Sequence, residues 1–91
     1  MEFCKGMVVR SRAGRDAGHW FVILELDAEY AYLADGGLRR LEKPKRKKRR
    51  HLAPTNTVLR PEQFHEDHTL QETLAAFGQP AAPLRGGQEL V

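Results

Sequence analysis

A run of cations dominates the middle of the chain and is the first feature that could do chemistry. Residues 39–50 contain nine Lys or Arg residues and one acid, Glu42. Such a run can bind along a phosphate backbone, and each contact releases condensed counterions, which favours binding. A solvated charged loop or a localisation signal has the same composition. We favour nucleic acid as the partner because the run is attached to a small, β-rich body.

A second basic feature is a glycine-bracketed loop near the start of the chain. Arg12 and Arg15 stand beside Gly14 and Gly18. Glycine allows a sharp turn and a close approach of the backbone N–H groups to a surface that a Cβ atom would block. Taken alone, this is only a hairpin with a glycine loop. With the basic run, it predicts a second set of phosphate contacts.

We expect these loops to meet at one end of a small barrel, where RNA-binding surfaces often lie. Arginine suits bidentate phosphate contact, whereas lysine acts as a point charge. The loop-forming glycines are Gly14, Gly18, Gly36 and Gly37. The predicted RNA-binding residues are Arg12, Arg15, Arg39, Arg40, Lys43, Lys45, Arg46, Lys47, Lys48, Arg49, Arg50 and His51. Trp20, Tyr30 and Tyr32 could stack on bases, although we favour core packing for them.

Other candidate chemistry is weak. His65 and His68 lie three residues apart among acids, but no cysteine or third histidine completes a metal site, so surface histidines are the better interpretation. Cys4 has no evident base beside it. Asp16 and Asp35 adjoin glycine turns, which their side chains can form. We therefore expect no catalysis, no cofactor and no metal.

Composition limits the protein to one small domain. Its 91 residues carry a net charge of +3, but residues 1–60 hold fourteen of the fifteen cations and seven of the twelve acids. A basic body with an acidic end is typical of nucleic-acid contact. We expect a soluble cytoplasmic protein that is monomeric when free. This expectation follows from the single cysteine, from a start unlike a signal peptide and from a longest apolar run of only five residues, 20–24.

Short apolar runs bounded by glycine predict a mainly β body over residues 1–60. Continuous apolar residues in the second strand suggest burial on both faces. The predicted strands cover residues 5–11, 19–27, 30–35, 38–42 and 57–59, with a Gly36-Gly37 hairpin turn and a basic loop at 43–50. Residues 61–78 form a helical extension, with Thr69 and Glu72 as a capping box, Leu70, Leu74 and Phe77 on one face, and Gly78 at its end. Residues 79–91 are expected to be a disordered tail.

Several blocks in this order resemble a known family. They are residues 6–16, 34–36, 38–39, 41–45, 51–52 and 54–56. They are similar to the KOW motif of ribosomal proteins and elongation factors, and more closely to bacterial KOW-domain RNA-binding proteins related to archaeal and eukaryotic large-subunit ribosomal proteins. The resemblance implies a small SH3-like β-barrel that binds structured RNA, in particular ribosomal RNA. Ala17 departs from it, because many relatives have lysine there.

Two hypotheses from different classes remain. In the first, the protein binds ribosomal RNA or the ribosome through phosphate contacts, without catalysis. In the second, it is a protein-interaction adaptor of the transcription or translation machinery, with only weak nucleic-acid contact. The C-terminal helix could close the barrel, bind a protein partner, or cover the basic loop with its acidic side chains.

Overall fold

The computed structural model describes residues 2–78, and of residues 77 and 78 it describes the backbone alone. A mainly β domain with one short α-helix is confirmed, whereas the tail predicted for residues 79–91 lies outside the described residues. Two 3₁₀ turns, Arg49–His51 and Pro61–Gln63, connect the later elements. The strands are β1 (Met7–Ser11), β2 (Trp20–Leu26), β3 (Tyr30–Ala34), β4 (Lys45–Lys48) and β5 (Leu52–Val58), and the helix is α1 (Asp67–Gly78).

The five strands form one antiparallel sheet that curls strongly. Their order is β4-β3-β2-β1-β5, so the two edge strands are consecutive in the chain and are joined only by the turn Arg49–His51. In a flat sheet, four strand spacings would separate β4 from β5 by about 19 Å. The four residue steps from Lys48 to Leu52 span at most about 14 Å. The sheet must therefore bend, yet no ladder joins β4 to β5 among the described residues, so it is not a closed barrel.

Both faces of the sheet are buried, as the continuous apolar stretch of β2 predicts. Phe21 and Ile23 belong to a core on the inner face of the curl, and Val22 belongs to a second core on the outer face. The inner core comprises Met7, Val9, Phe21, Ile23, Ala31, Leu33 and Leu52. The outer core comprises Val8, Val22, Ala34, Leu59, Leu70 and Leu74. Burying both faces gives this short chain two small cores in place of one.

Helix α1 covers the outer face of the sheet. Leu70 and Leu74 are 0% and 5% exposed, which confirms two members of the predicted apolar face. The side chain of Phe77 lies outside the described residues. The predicted capping box is wrong, because α1 begins at Asp67 and the hydroxyl of Thr69 donates to Oε1 of Glu66 at 3.0 Å. No helix between residues 2 and 78 is long and apolar enough to cross a membrane.

The segment between β3 and β5 differs most from the sequence expectation. The strand predicted at 38–42 is wrong: Oδ1 of Asp35 accepts the backbone N–H groups of Gly37 and Arg39, at 2.9 and 2.8 Å, and this turns the chain. The basic loop predicted at 43–50 is also wrong, since it contains β4, antiparallel to β3. Strand β5 begins at residue 52, five residues earlier than predicted, and includes Pro54, which an edge strand tolerates.

The loop after β3 packs directly against α1. Gly36 has a φ of +83°, and a Cβ atom at this position would collide with the carbonyl oxygen of Asp67. The backbone N–H of Leu41 donates to Oδ1 of Asp67 at 2.8 Å, which fixes the same loop a second time. Gly36 therefore serves both the turn and the docking of the helix.

Replacing Gly36 with alanine should destabilise the protein far more than replacing Gly14. Both glycines have a φ near +85°, so either change strains the backbone by about 1–2 kcal/mol. At Gly14 the nearest atom to a new Cβ is the flexible Nζ of Lys47, at 3.4 Å, whereas at Gly36 it is helix backbone. We expect a total loss of about 2–4 kcal/mol for Gly36→Ala. Urea unfolding of both variants measures this, and equal losses would contradict the packing role.

Candidate nucleic-acid interface

The loop between β1 and β2 presents its two arginines to solvent. Gly14 and Gly18 adopt φ values of +85° and +90°, which confirms them as turn glycines. The N–H of Gly18 donates to the carbonyl of Ser11 at 2.8 Å and closes the loop at its base. Arg12 and Arg15 are exposed. Neither makes a side-chain hydrogen bond or ion pair with another residue in the range 2–78.

A buried carboxylate ties this loop to β4. Asp16 is 8% exposed, and its oxygens accept from the hydroxyl of Ser11 at 2.7 Å and from the ammonium groups of Lys45 and Lys47 at 2.6 Å each. Lys47 also donates to the carbonyl of Ala13 at 2.6 Å. We call Ser11, Asp16, Lys45 and Lys47 the Asp16 clasp. Asp16 was expected to form a turn with its side chain; it forms ion pairs instead.

The clasp keeps Asp16 ionised. Burial raises the pKa of Asp16, but the hydrogen bonds from Lys45, Lys47 and Ser11 outweigh burial and hold that pKa well below its ordinary value of 3.8. The two cations next to Asp16 are therefore paired with a permanent negative charge at neutral pH. The negative charge of Asp16 therefore does not repel a polyanion that approaches this loop.

Strand geometry divides the basic run into two sets. Lys45 and Lys47 pair with Leu33 and Ala31 of β3, both members of the inner core, so their side chains share the inner face. Arg46 and Lys48 pair with Tyr32 and Tyr30 on the outer face. Lys45 and Lys47 are the lysines that form ion pairs with Asp16 in the clasp.

The outer-face set lies beside tyrosines. The guanidinium carbon of Arg46 lies 4.4 Å from the ring centroid of Tyr30, a cation–π contact. The hydroxyl of Tyr32 donates to Oδ2 of Asp27 at 3.3 Å. Tyr30 and Tyr32 are partly buried, and so is Trp20, which packs against the outer core with Arg10 over its ring at 5.7 Å. None of the three belongs to the fully buried core of the described chain.

The two glycine loops do meet. Arg15 of the first loop, Arg39 of the second and Lys45 of β4 line one groove of about 300 Å³, which we call the loop-side groove. Phe21 and Leu38 provide its apolar surface. Arg40 and Lys43, farther along the second loop, are exposed. Of the two glycines in this loop, Gly36 has a positive φ and Gly37 does not.

The turn after β4 is held elsewhere. Arg49 donates to the carbonyl of Asp27 at 2.9 Å and lies over the ring of Phe3 at 5.5 Å, so it is engaged near the β2–β3 connection. Arg50 is exposed and His51 is partly buried. The carbonyl of His51 accepts the N–H of Arg12 at 2.8 Å, which links this turn to the first glycine loop. Between residues 2 and 78, no group of three or more His, Cys, Asp or Glu side chains is arranged to hold a metal ion.

Sequence reasoning missed the clasp, whereas the poor alternation of residues 38–42 predicts either a bulge or a leucine at a partner surface. All four residues of β4 are cations, so no alternation of polar and apolar residues marks the strand in the sequence. The aspartate that pairs with Lys45 and Lys47 is 29 and 31 residues away, and no local pattern points to it. Leu38 is 81% exposed in a polar loop, and such an exposed leucine is a candidate contact for an apolar partner.

Removing the charge of Asp16 should lower stability and change its pH dependence. Asp16→Asn leaves two lysines without their counter-charge, at a cost of about 3 kcal/mol at neutral pH. Because the pKa of Asp16 is lower in the folded protein than the unfolded value of 3.8, its contribution is present above about pH 4 and is lost as the pH falls through the folded pKa.

Unfolding free energies between pH 2 and pH 7 measure both effects. The variant should lose part of the fall in stability that the wild type shows below pH 4. Glu29→Gln is the matched control, since Glu29 is exposed and its side chain has no partner among the described residues. If both variants had the same pH profile as the wild type, the clasp would not stabilise the fold.

Comparison with known proteins adds no information about this interface. No family model matches the chain, and no curated protein is significantly similar to it. The likeness to KOW-domain proteins therefore depends on the residue blocks quoted above. The arrangement of the clasp, the two glycine loops and the groove between them is the evidence for a binding site.

Proposed function

We propose that this protein is a non-catalytic RNA-binding protein that docks on ribosomal RNA or the ribosome through phosphate contacts. In this proposal the curled sheet corresponds to an SH3-like barrel of the KOW type, with its RNA-binding surface at the two glycine loops. The resemblance in sequence blocks supports this, as does a mainly β fold of five antiparallel strands.

The observation that carries the proposal is the imbalance of charge at the loop end. Arg12, Arg15, Arg39, Arg40 and Lys43 are all exposed there and make no ion pair within the described chain. The nearest buried acid, Asp16, is already paired with two lysines. Two acids among these cations, Asp35 and Glu42, make no ion pair within the described chain either, so five unpaired cations face two unpaired carboxylates. A surface with this excess of unpaired cations is suited to phosphate.

The clasp makes this surface more rigid than a free basic loop. Because β4 is already an ordered strand, the protein loses less conformational entropy on binding than a disordered basic run would. Lys45 and Lys47 act as supports that hold the first glycine loop in place. The cations assigned to direct RNA contact are Arg12, Arg15, Arg39, Arg40, Lys43, Arg46, Lys48 and Arg50.

A second function is favoured by one observation, the exposed Leu38 beside an apolar groove. A protein-interaction adaptor would use this leucine to anchor a partner, with the arginines at the rim. The adaptor predicts that Leu38→Asp abolishes a protein partnership and leaves salt-sensitive RNA binding in place. The RNA-binding proposal predicts instead that replacing the arginines weakens RNA binding more than replacing Leu38 does.

Affinity for ribosomal RNA should fall steeply with salt. If about half of the eight assigned cations engage, a plot of log affinity against log salt concentration has a slope of about −3 to −4. Titrations at four or more salt concentrations measure the slope. A flat response would refute phosphate contact.

A matched pair of double variants tests where the contacts lie. Arg15→Gln with Arg39→Gln should weaken binding and reduce the magnitude of the slope by about 1.5, because two phosphate contacts are lost. Lys5→Gln with Arg60→Gln removes the same charge from exposed residues that pair with Glu25 and Glu62. This control should leave the slope nearly unchanged. If both pairs of substitutions had the same effect, RNA binding would depend on the net charge of the protein and not on contacts at the glycine loops.

A further inference from the structure

Two grooves adjoin at the loop end of the molecule. The loop-side groove contains Arg15, Arg39 and Lys45. A second groove, of about 390 Å³, extends from it towards α1, and we call it the helix-side groove. The two adjoin along His19, Asp35 and Leu38, which line both, and together we call them the depression. Each volume lies within the range of about 300–1,000 Å³ that is typical of small-ligand pockets.

We propose that this depression holds one unpaired nucleotide of the bound RNA, with the base in the helix-side groove and its phosphate in the loop-side groove. The inference rests on the proposed function and deepens it. It assigns the protein a preference for RNA that contains unpaired nucleotides, in addition to its attraction for phosphate.

The helix-side groove offers apolar surface of the kind that a base covers. Trp20 is partly buried at one wall, and Leu74 and Ala75 of α1 form another. Leu38 extends into solvent at the junction of the two grooves, 81% exposed. A base placed here would remove this leucine from water and would contact the part of the indole that lines the groove, a contact that tolerates any base because each base is aromatic.

Polar groups at the same place can contact the edge of the base. Oδ1 of Asp35 accepts two backbone N–H groups, whereas its Oδ2 makes no hydrogen bond within residues 2–78. The amide of Gln71, on the exposed side of α1, lines the same groove. An ionised carboxylate only accepts hydrogen bonds. It therefore favours bases with an exocyclic amino group, which adenine, cytosine and guanine have, over uracil, whose only ring donor on its pairing edge, N3–H, lies between two carbonyl oxygens that repel a carboxylate.

Charge complementarity selects a nucleotide over a neutral ligand. Arg15 and Arg39 come from different loops and line the same groove, so one phosphate between them would contact two guanidinium groups. Of the two acids that line this groove, Asp16 is paired with two lysines, and Asp35 accepts two backbone N–H groups. A base in a duplex is stacked and paired, so it cannot enter the helix-side groove, and only an unpaired nucleotide can fill both.

The test compares short RNAs on the full chain and on two variants. The probes are single-stranded hexamers of adenosine, cytidine or uridine and an RNA duplex of twelve base pairs. Trp20 is the sole tryptophan and lines the groove, so its fluorescence reports base entry directly. Leu38→Ala removes the apolar contact from an exposed position. Val58→Ala is the matched control, since Val58 is also an exposed apolar residue, at 51%, and does not line either groove.

We expect adenosine and cytidine hexamers to quench Trp20 and to bind more tightly than the uridine hexamer. Leu38→Ala should weaken hexamer binding about fivefold, in line with the loss of one apolar contact, and should leave duplex binding within twofold. Val58→Ala should change neither affinity. If Leu38→Ala and Val58→Ala behaved alike, or if only the duplex altered Trp20 fluorescence, the nucleotide site would be refuted while salt-dependent RNA binding stood. If the wild type bound no RNA at all, the proposed function itself would fail.

Discussion

Asp16 accepts hydrogen bonds from two ammonium groups of one strand, β4, which lies at the far edge of the sheet from β5. The sheet brings its two edges towards each other but does not join them with a ladder. The contacts of Lys45 and Lys47 with Ala13 and Asp16 tie the edge strand β4 to the loop between β1 and β2. They order a charged segment as a strand, hold the loop with Arg12 and Arg15, and position Lys45 in the loop-side groove. Fold and candidate interface thus depend on the same carboxylate.

The clasp also explains how one basic run serves two purposes. The pleat of a strand sends successive side chains to opposite faces. In β4, the two inward lysines share one acid, Asp16, so the three groups together carry a net charge of +1. Arg46 and Lys48 lie on the other face, beside Tyr30 and Tyr32. The charge that is free to meet a polyanion is smaller than the composition suggests, and the glycine loops contribute much of it. The arginines of those loops have no acidic partner in the described structure.

Much of the fold could be predicted from local pattern. β-Branched and aromatic runs located β1, β2 and β3, the uninterrupted apolar residues of β2 indicated burial on both faces, and Leu70 and Leu74 marked the buried side of α1. The basic segment could not be predicted in this way, because its self-repulsion is relieved by Asp16, a residue about thirty positions away. The turn at Asp35 was predicted from its glycines, but the leucines that follow it resemble a strand and gave a wrong strand at residues 38–42. The convergence of Arg15 and Arg39 followed from expecting the glycine loops at one end of the domain, but the groove between them depends on tertiary packing.

The sheet ends at β4 on one side and at β5 on the other, and each end carries its own barrier to further pairing. All four side chains of β4 are cationic, so a second copy that approached this edge would bring like charges into register. On β5, Pro54 has no N–H to donate to an added strand. A curled sheet with two unjoined edges is a potential template for strand addition and fibril growth. In this chain, the four cations of β4 disfavour strand addition at one of those edges.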